Sequence, residues 1–391
     1  MTYNFLPKIP YGTSDLLPRE ASEKRILEET LAKLFTSWGY KELVTPTFEY
    51  LETFTAGSSN DMSQYSFKFF DKDNRVLVLR PDMTTPIARI VSTRLKDAKT
   101  PMRFFYLSNV FRHEQAQTGR KCEFYQAGIE LLGSNEHSSD AEVVALAAES
   151  LLNLKLTNFQ IGLGQIEFIK GVMLESGLPK TIAAKIEGFL VNRDLVGIEQ
   201  TLDNVGFHHG LFKLLKQILE LHGKENILEK AYNLVQNDLS RKALYNLAGI
   251  HTLLKAYKLE QYINFDLSII RDFDYYTGMT MEGYTPGLGF PVLGGGRYDN
   301  LTQAFGFNCP ATGFALGIER VILALFRQGL TPLTQKKDIY IAWAKNKLPE
   351  AILAAKEYRE SNVSVELALS EQTKEQALEN SVNFKNIIYI E

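Results

Sequence analysis

Apolar residues recur at helical spacing across "PREASEKRILEETLAKLFTSWG", residues 18–39, where Leu27, Leu31, Leu34, Phe35 and Trp38 form one stripe and Gly39 offers a stop. The apolar pattern then becomes strand-like. "KELVTPTFEY" reads as a strand interrupted by Pro46; proline cannot donate to a ladder, so this strand belongs at an edge or an interface. "RVLVLRPDMT" is a second strand that ends in polar residues. Residues 86–98 return to a helical period, with a proline in the first turn. A long hairpin follows, from "RFFYLSNVFRHE" through "QAQTGRK" to "CEFYQAGIELLG". Residues 138–152 predict a helix with a serine or aspartate cap.

From about 172 to 260 the texture changes to short helical segments, which we read as a mostly helical insertion. Strands return at "YINFDLSIIRDFDYYTGMTMEGYTPG" and "GFPVLGGGRYDNL", and a helix is predicted at "ATGFALGIERVILALFRQG". After Pro332, strand and helix alternate as βαβαβ through "DIYIAWA", "PEAILAAKEYRES", "VSVELAL", "TKEQALEN" and "NIIYIE". The organisation predicted is a core over residues 1–330, with the insertion inside it, and a small α/β unit over 331–391.

A length of 391 residues exceeds one compact core, which agrees with more than one unit. A chain 45% hydrophobic and 23% charged is of the ordinary globular class. The formal net charge of −3 gives no global positive field to advertise nucleic acid. Cys122 and Cys309 are the two cysteines, too few for a disulfide framework or a four-ligand zinc site, and they fit a reducing compartment. With no apolar run of about 18 residues, the expectation is a cytoplasmic protein without membrane contact. GxxxxGK[ST], dinucleotide, HExxH and CxxC patterns are absent, so neither a cofactor nor a metal is expected.

The candidate chemistry lies on the hairpin. Side chains alternate faces along a strand. Arg112 and Glu114 share one face of its first run; Phe124, Gln126, Gly128 and Glu130 share one face of its second. Paired in register, they bring four polar groups to one surface. Arginines 112, 120, 271, 297 and 320 each stand near a glycine, a tyrosine or a carboxylate. A guanidinium fork suits carboxylate and phosphate, although each arginine alone reads first as a salt bridge. Gln126 and Glu130 also fit a satisfied core pair. "DYYTG" sends two tyrosines to opposite faces, so one should be core, and "LGGGRYD" reads equally as a phosphate loop or a tight turn.

The order of these pieces is more specific than any one of them. "TSWGYKELVTPTFEY", residues 111–130 and "GFALGIERVILAL" resemble motifs 1, 2 and 3 of class II aminoacyl-tRNA synthetases, and "RDFDYY" and "GGGRYD" resemble the two signatures of the histidyl branch. The resemblance covers roughly 10–330. It implies an α+β fold: an antiparallel sheet flanked by helices, with a helical insertion and a small α/β C-terminal unit. It implies a homodimer through motif 1. It also implies a histidine site at Asp82, Thr84, Arg112, Gln126, Glu130, Arg271, Tyr276 and Tyr298, and a vestigial nucleotide site at Arg112, Glu114, Arg120 and Arg320. Free histidine carries an ammonium, a carboxylate and a ring with two distinct nitrogens, and this set supplies a partner for each.

The chain departs from the synthetase pattern at several positions. Cys122 and Tyr125 stand where that family has an arginine and a histidine; Asp82 replaces a glutamate and Asp272 a glycine. Residues 331–391 match only part of an anticodon-binding domain. "FQIGLGQIEFIKGVMLESGL" and "GYTPGLGFPVLGGGRYDNL" are similar instead to the paralogous family of ATP phosphoribosyltransferase regulatory subunits. That resemblance implies a non-catalytic subunit that assembles with a short-form catalytic subunit in the first step of histidine biosynthesis. The implied assembly is a homodimer within a hetero-oligomer, with histidine as ligand and feedback signal and without tRNA. The two alternatives are a functional histidyl-tRNA synthetase and a synthetase-like RNA-binding or signalling module.

Overall fold

α1 (Pro18–Ser37) opens the fold, with proline at the first position, where its missing N–H is one the helix cannot use. The Glu20 carboxylate accepts the Leu17 N–H at 2.9 Å. Leu27, Leu31 and Phe35 of the predicted stripe are buried. The computed structural model describes residues 8–56, 65–113, 121–206, 209–270, 275–330 and 337–391, and it divides into two units, Met1–Pro332 and Leu333–Glu391.

The strand expected around Pro46 is two short strands, β1 (Lys41–Glu42) and β2 (Phe48–Tyr50). The missing N–H interrupts the ladder between them. β1 is an edge of the large sheet; β2 joins β3 (Lys68–Phe70) and β4 (Val76–Leu79) in a small antiparallel sheet ordered β2-β4-β3. The short α2 (Leu51–Thr55) follows β2. α3 (Thr84–Arg94) begins ahead of Pro86 because Asp82 Oδ1 accepts the Thr85 N–H at 2.8 Å.

The hairpin is β5 (Met102–Phe111) and β6 (Glu123–Leu132), paired without interruption from Met102↔Leu132 to Phe111↔Glu123. β5 is regular to Phe111, and the Arg112 N–H still donates to the Cys122 carbonyl at 2.8 Å, so Arg112 continues the alternation on the face of Gln126 and Glu130. Glu114, Arg120 and Arg271 lie outside the described residues. α4 (His137–Asn153) has no side-chain cap, contrary to expectation. Ser139 instead bonds the Glu136 carbonyl at 2.5 Å, and Asp140 turns inward to pair with Arg297 at 2.9 Å.

β7 (Gln160–Gln165) runs into α5 (Ile166–Glu175) and then the helical insertion: α6 (Lys180–Val191), α7 (Leu195–Asn204), α8 (His209–Leu219), α9 (Asn226–Leu234) and α10 (Asp238–Ala256), with β8 (His222–Gly223) between α8 and α9. The sheet resumes with β9 (Ile263–Asp266), β10 (Met279–Tyr284), β11 (Leu293–Arg297) and β12 (Ala311–Gly317), and α11 (Ile318–Arg327) follows. Two expectations are corrected here. The glycine run of "LGGGR" is strand β11, neither loop nor turn, and the first seven residues of the helix expected from 311 are strand β12. Their backbones are taken up by sheet pairing, β12 between β6 and β11.

The nine-stranded sheet has the order β1-β5-β6-β12-β11-β10-β7-β9-β8, antiparallel except at β1–β5 and β7–β9. One face carries Phe105, Ala127, Ile129, Leu131 and Phe314 into a core with Leu31, Phe35, Val144 and Val321 of α1, α4 and α11. The opposite face is covered at one end by α3, whose Ile87 and Val91 pack with Tyr106, Leu132 and Tyr298. Its middle holds the candidate site.

In the second unit, β13 (Lys337–Trp343), α12 (Leu348–Glu360), β14 (Val365–Leu367), α13 (Lys374–Asn380) and β15 (Phe384–Ile390) form the predicted βαβαβ pattern, a parallel sheet ordered β14-β13-β15. Its core includes Tyr340, Ile341, Trp343, Ala351, Ala355 and Phe384. Among the described residues no helix is long and apolar enough to cross a membrane.

Candidate functional site

Directly opposed residues share a sheet face, so the register lays out the site in rows. The first row is Phe104, Glu130, Gly313, Gly296, Thr280 and Gly164; the second is Tyr106, Gly128, Ala315, Gly294, Glu282 and Gly162; the third includes Ser108, Gln126 and Gly317. Small residues dominate β11 and β12 on this face, which leaves room above them. Gly313 is required by close approach: a Cβ there would strike the Glu130 carboxylate.

Glu130 is the centre of the first row and is 1% exposed. Its Oε1 accepts the Thr84 hydroxyl at 2.8 Å and its Oε2 accepts the Tyr298 hydroxyl. Burial pushes its pKa up to about 8, with the Asp82 charge adding to the rise and the two hydroxyls opposing it. The buried acid therefore holds its proton well above the usual carboxylate range. A donor or cation brought against it would favour the ionised form.

A tyrosine wall closes this end. Tyr298 stacks on Tyr275 at 5.7 Å between centroids, and Tyr275 meets Tyr276 edge-on at 4.9 Å. Burial holds the Tyr275 and Tyr298 phenols well above their ordinary range. Both tyrosines of "DYYTG" are partly buried, so neither is simply core. Asp82 caps α3; burial raises its pKa, while the Thr85 amide and the Arg112 charge oppose the rise. Arg112 Nε donates to the Pro81 carbonyl at 2.8 Å, and its guanidinium lies over the Phe124 ring at 5.4 Å. Asp82, Thr84, Glu130, Tyr276 and Tyr298 are thus drawn towards one end of the face, whereas Arg112 lies beside Phe124, beyond the Gln126 row, and reaches the Asp82 turn through its bond to Pro81.

Gln126 and Arg320 stand at the other end. Gln126 pairs with Gly317, and the Arg320 stem lies over Gly317, 3.1 Å from where a Cβ would sit. Arg320 Nη1 donates to the Pro291 carbonyl at 2.8 Å, and its guanidinium lies over the Phe290 ring at 5.1 Å. At about 3.4 Å per residue, this row is roughly 14 Å from the Glu130 row. The face can therefore take an extended ligand with an aromatic polar ring at one end and anionic groups at the other.

Arg297 is structural. It is 6% exposed and bonds Asp140, Asp299, Ser139 and the Ser134 carbonyl. Cys122 is not a bare residue at the loop tip. It is buried, its N–H donates to the Gly12 carbonyl at 2.7 Å, and Gly12, at φ +76°, has no room for a Cβ beside the Cys122 sulfur. Tyr106 and Tyr275 join the site as further participants. Tyr106 lies between the Glu130 and Gln126 rows and could have been found from the alternation of "RFFYLSN"; Tyr275 was distinguishable from Tyr276 only by contacts distant in sequence.

A family model described as histidyl-tRNA synthetase matches residues 12–321. An ATP phosphoribosyltransferase regulatory subunit from Desulforamulus reducens is 41% identical, over 100% of this chain and 98% of the relative. One of the same name from Moorella thermoacetica is 42% identical, over 96% of each. The chain belongs to the family of ATP phosphoribosyltransferase regulatory subunits. A crystal structure titled as an ATP phosphoribosyltransferase regulatory subunit/histidyl-tRNA synthetase from Bacillus halodurans superposes with a TM-score of 0.87 at 32% identity, covering 99% of both chains. Histidyl-tRNA synthetase from Nostoc shares the fold, with a TM-score of 0.83 at 20% identity over 97% of this chain and 89% of that one. The class II synthetase-like α+β architecture is thus common to the family and to its synthetase relatives.

Proposed function

We propose that this chain is the non-catalytic regulatory subunit that a short-form ATP phosphoribosyltransferase catalytic subunit requires for the first step of histidine biosynthesis, and that it binds histidine on the glycine-rich sheet face. Its membership of the regulatory-subunit family, through relatives matched along nearly their whole length, carries the first part. Glu130 carries the second: a buried acid between two hydroxyls and beside a tyrosine wall suits a flat ring that offers an N–H. Asp82 and Thr84 would face the ammonium from the Glu130 end and Gln126 from the other, and Arg271 would face the carboxylate. Arg112 and Arg320 belong to the remnant of a nucleotide site, with Glu114 and Arg120.

No aminoacylation is proposed. Where the synthetases have a second arginine in motif 2, this chain has Cys122 buried against Gly12, which offers no cation to a phosphate. The working form is a cytoplasmic homodimer within a hetero-oligomer. Phe48, Tyr50 and Phe69 share one face of the small sheet and stand exposed, with Val44 exposed beside β2, an apolar face suited to a two-fold contact. The second unit is read as an anticodon-binding-like α/β unit whose proposed role includes no tRNA.

Calorimetry with histidine on the purified dimer, together with co-purification with a short-form catalytic subunit, tests this reading. We expect saturable binding and a stable complex. An intact dimer that binds no histidine would remove the sensing role, and failure to form the complex would remove the regulatory one.

A further inference from the structure

The stretch 275–278, which carries two of the three wall tyrosines, is fastened at four points. Lys170 Nζ donates to the Tyr276 carbonyl at 3.3 Å. The Thr277 N–H donates to the Arg297 carbonyl at 2.8 Å, and Thr277 Oγ1 accepts the Asp299 N–H at 2.9 Å. The Gly278 carbonyl accepts the Ile166 N–H at 3.0 Å. Two of these anchors come from α5: Ile166 is its first residue, and Lys170 follows one turn later.

The Lys170 anchor differs in kind from the other three. It is a charged donor on a long, part-buried side chain, whereas the other three bonds use backbone N–H groups as donors. Glu167, one turn before it on α5, has its carboxyl pushed up by burial and pulled down by the Lys170 charge. The carbonyl that Lys170 holds belongs to the peptide plane between Tyr276 and Thr277. Lys170 and the Arg297 carbonyl hold the two edges of that plane, its C=O and its N–H, and together restrain the direction in which the Tyr276 ring leaves the chain. Tyr276 abuts Tyr275, Tyr275 stacks on Tyr298, and the Tyr298 hydroxyl bonds Glu130. A continuous line of contacts therefore runs from α5 to the buried acid.

We propose that Lys170 is a positioning residue: it holds the Tyr276–Thr277 peptide and so sets the tyrosine wall against which the ring of an amino-acid ligand is read. The ligand half of this statement rests on the histidine reading given above. The positioning half does not. A side chain of similar length without a donor, such as methionine, would leave the carbonyl unpaired, and the peptide would then be held only at its Thr277 N–H edge by the Arg297 carbonyl. The wall would loosen without loss of the fold, because the Thr277 and Gly278 anchors remain.

The test uses the full-length chain with Lys170→Met, Lys170→Gln and Lys170→Arg. Hydrogen exchange is followed in peptides that span 275–284 and, as a control, in peptides from β13 and β15. Exchange at 275–278 should accelerate about tenfold in Lys170→Met, the scale of one charged hydrogen bond. It should accelerate less in Lys170→Gln and return towards wild type in Lys170→Arg, while the control peptides stay unchanged. Histidine affinity should follow the same order. Wild-type exchange at 275–278 in both Lys170→Met and Lys170→Gln would overturn the proposal, as would acceleration that Lys170→Arg fails to reverse. The exchange measurement needs no ligand. A wild-type chain that binds no histidine would therefore sink the histidine reading, while exchange still decides the role of Lys170.

Discussion

Glu130 concentrates the chemistry of the site in one residue. Its folded pKa, about 8, lies above the ordinary carboxylate value of 4.5 because burial penalises the charge. The sign follows from linkage. The folded state holds this proton more tightly than the unfolded one, so its contribution to stability is complete below pH 4.5 and is lost as the pH rises through about 8. Glu130→Gln should flatten this part of the profile, which denaturant unfolding from pH 5 to 8.5 would show. Histidine should bind with release of a proton near pH 7, because the ring N–H needs the ionised acid. Its affinity should rise towards pH 8, and calorimetry in buffers of different ionisation enthalpy would measure the released proton. Glu130→Ala leaves a ring donor without its acceptor, a cost of roughly 1–3 kcal/mol, or about five- to hundredfold in affinity. Gly313→Ala drives a methyl into the same carboxylate and should cost roughly 1–3 kcal/mol of stability, as overpacking does, with loss of binding.

Among the elements, the hairpin was legible because its alternation survives translation into register: Gln126 and Glu130 do share a face. β11 and β12 were not legible. Glycine carries turn signals in a sequence, whereas here it lines a face that must stay bare, and that need is visible only once Glu130 and Arg320 are placed above it. Asp140 was misread for a related reason. A carboxylate near a helix start suggests a cap, but a buried arginine 157 residues away claimed it. That pair ties α4 to β11 and, through Asp299, to the stretch beside Tyr276. Asp140→Ala would leave Arg297 charged and buried without its main partner, at a cost of about 3–5 kcal/mol. Chemical denaturation should show that loss, with Asp140→Asn intermediate.

The whole molecule joins a synthetase-like architecture to membership of a regulatory-subunit family. The apolar face on the small sheet predicts that Phe48→Glu shifts the proposed homodimer towards monomer in sedimentation experiments, without unfolding the chain. Histidine in the pocket can alter a partner only if the assembled complex prefers one state of the wall, so inhibition and binding must be linked. The central claim is that this chain serves a phosphoribosyltransferase and not a tRNA. The most direct measurement is the rate of phosphoribosyl transfer to ATP by a short-form catalytic subunit as this chain is added. The account predicts a rate that climbs and saturates as the complex fills. A rate unchanged at saturating chain, with the complex formed, would contradict it.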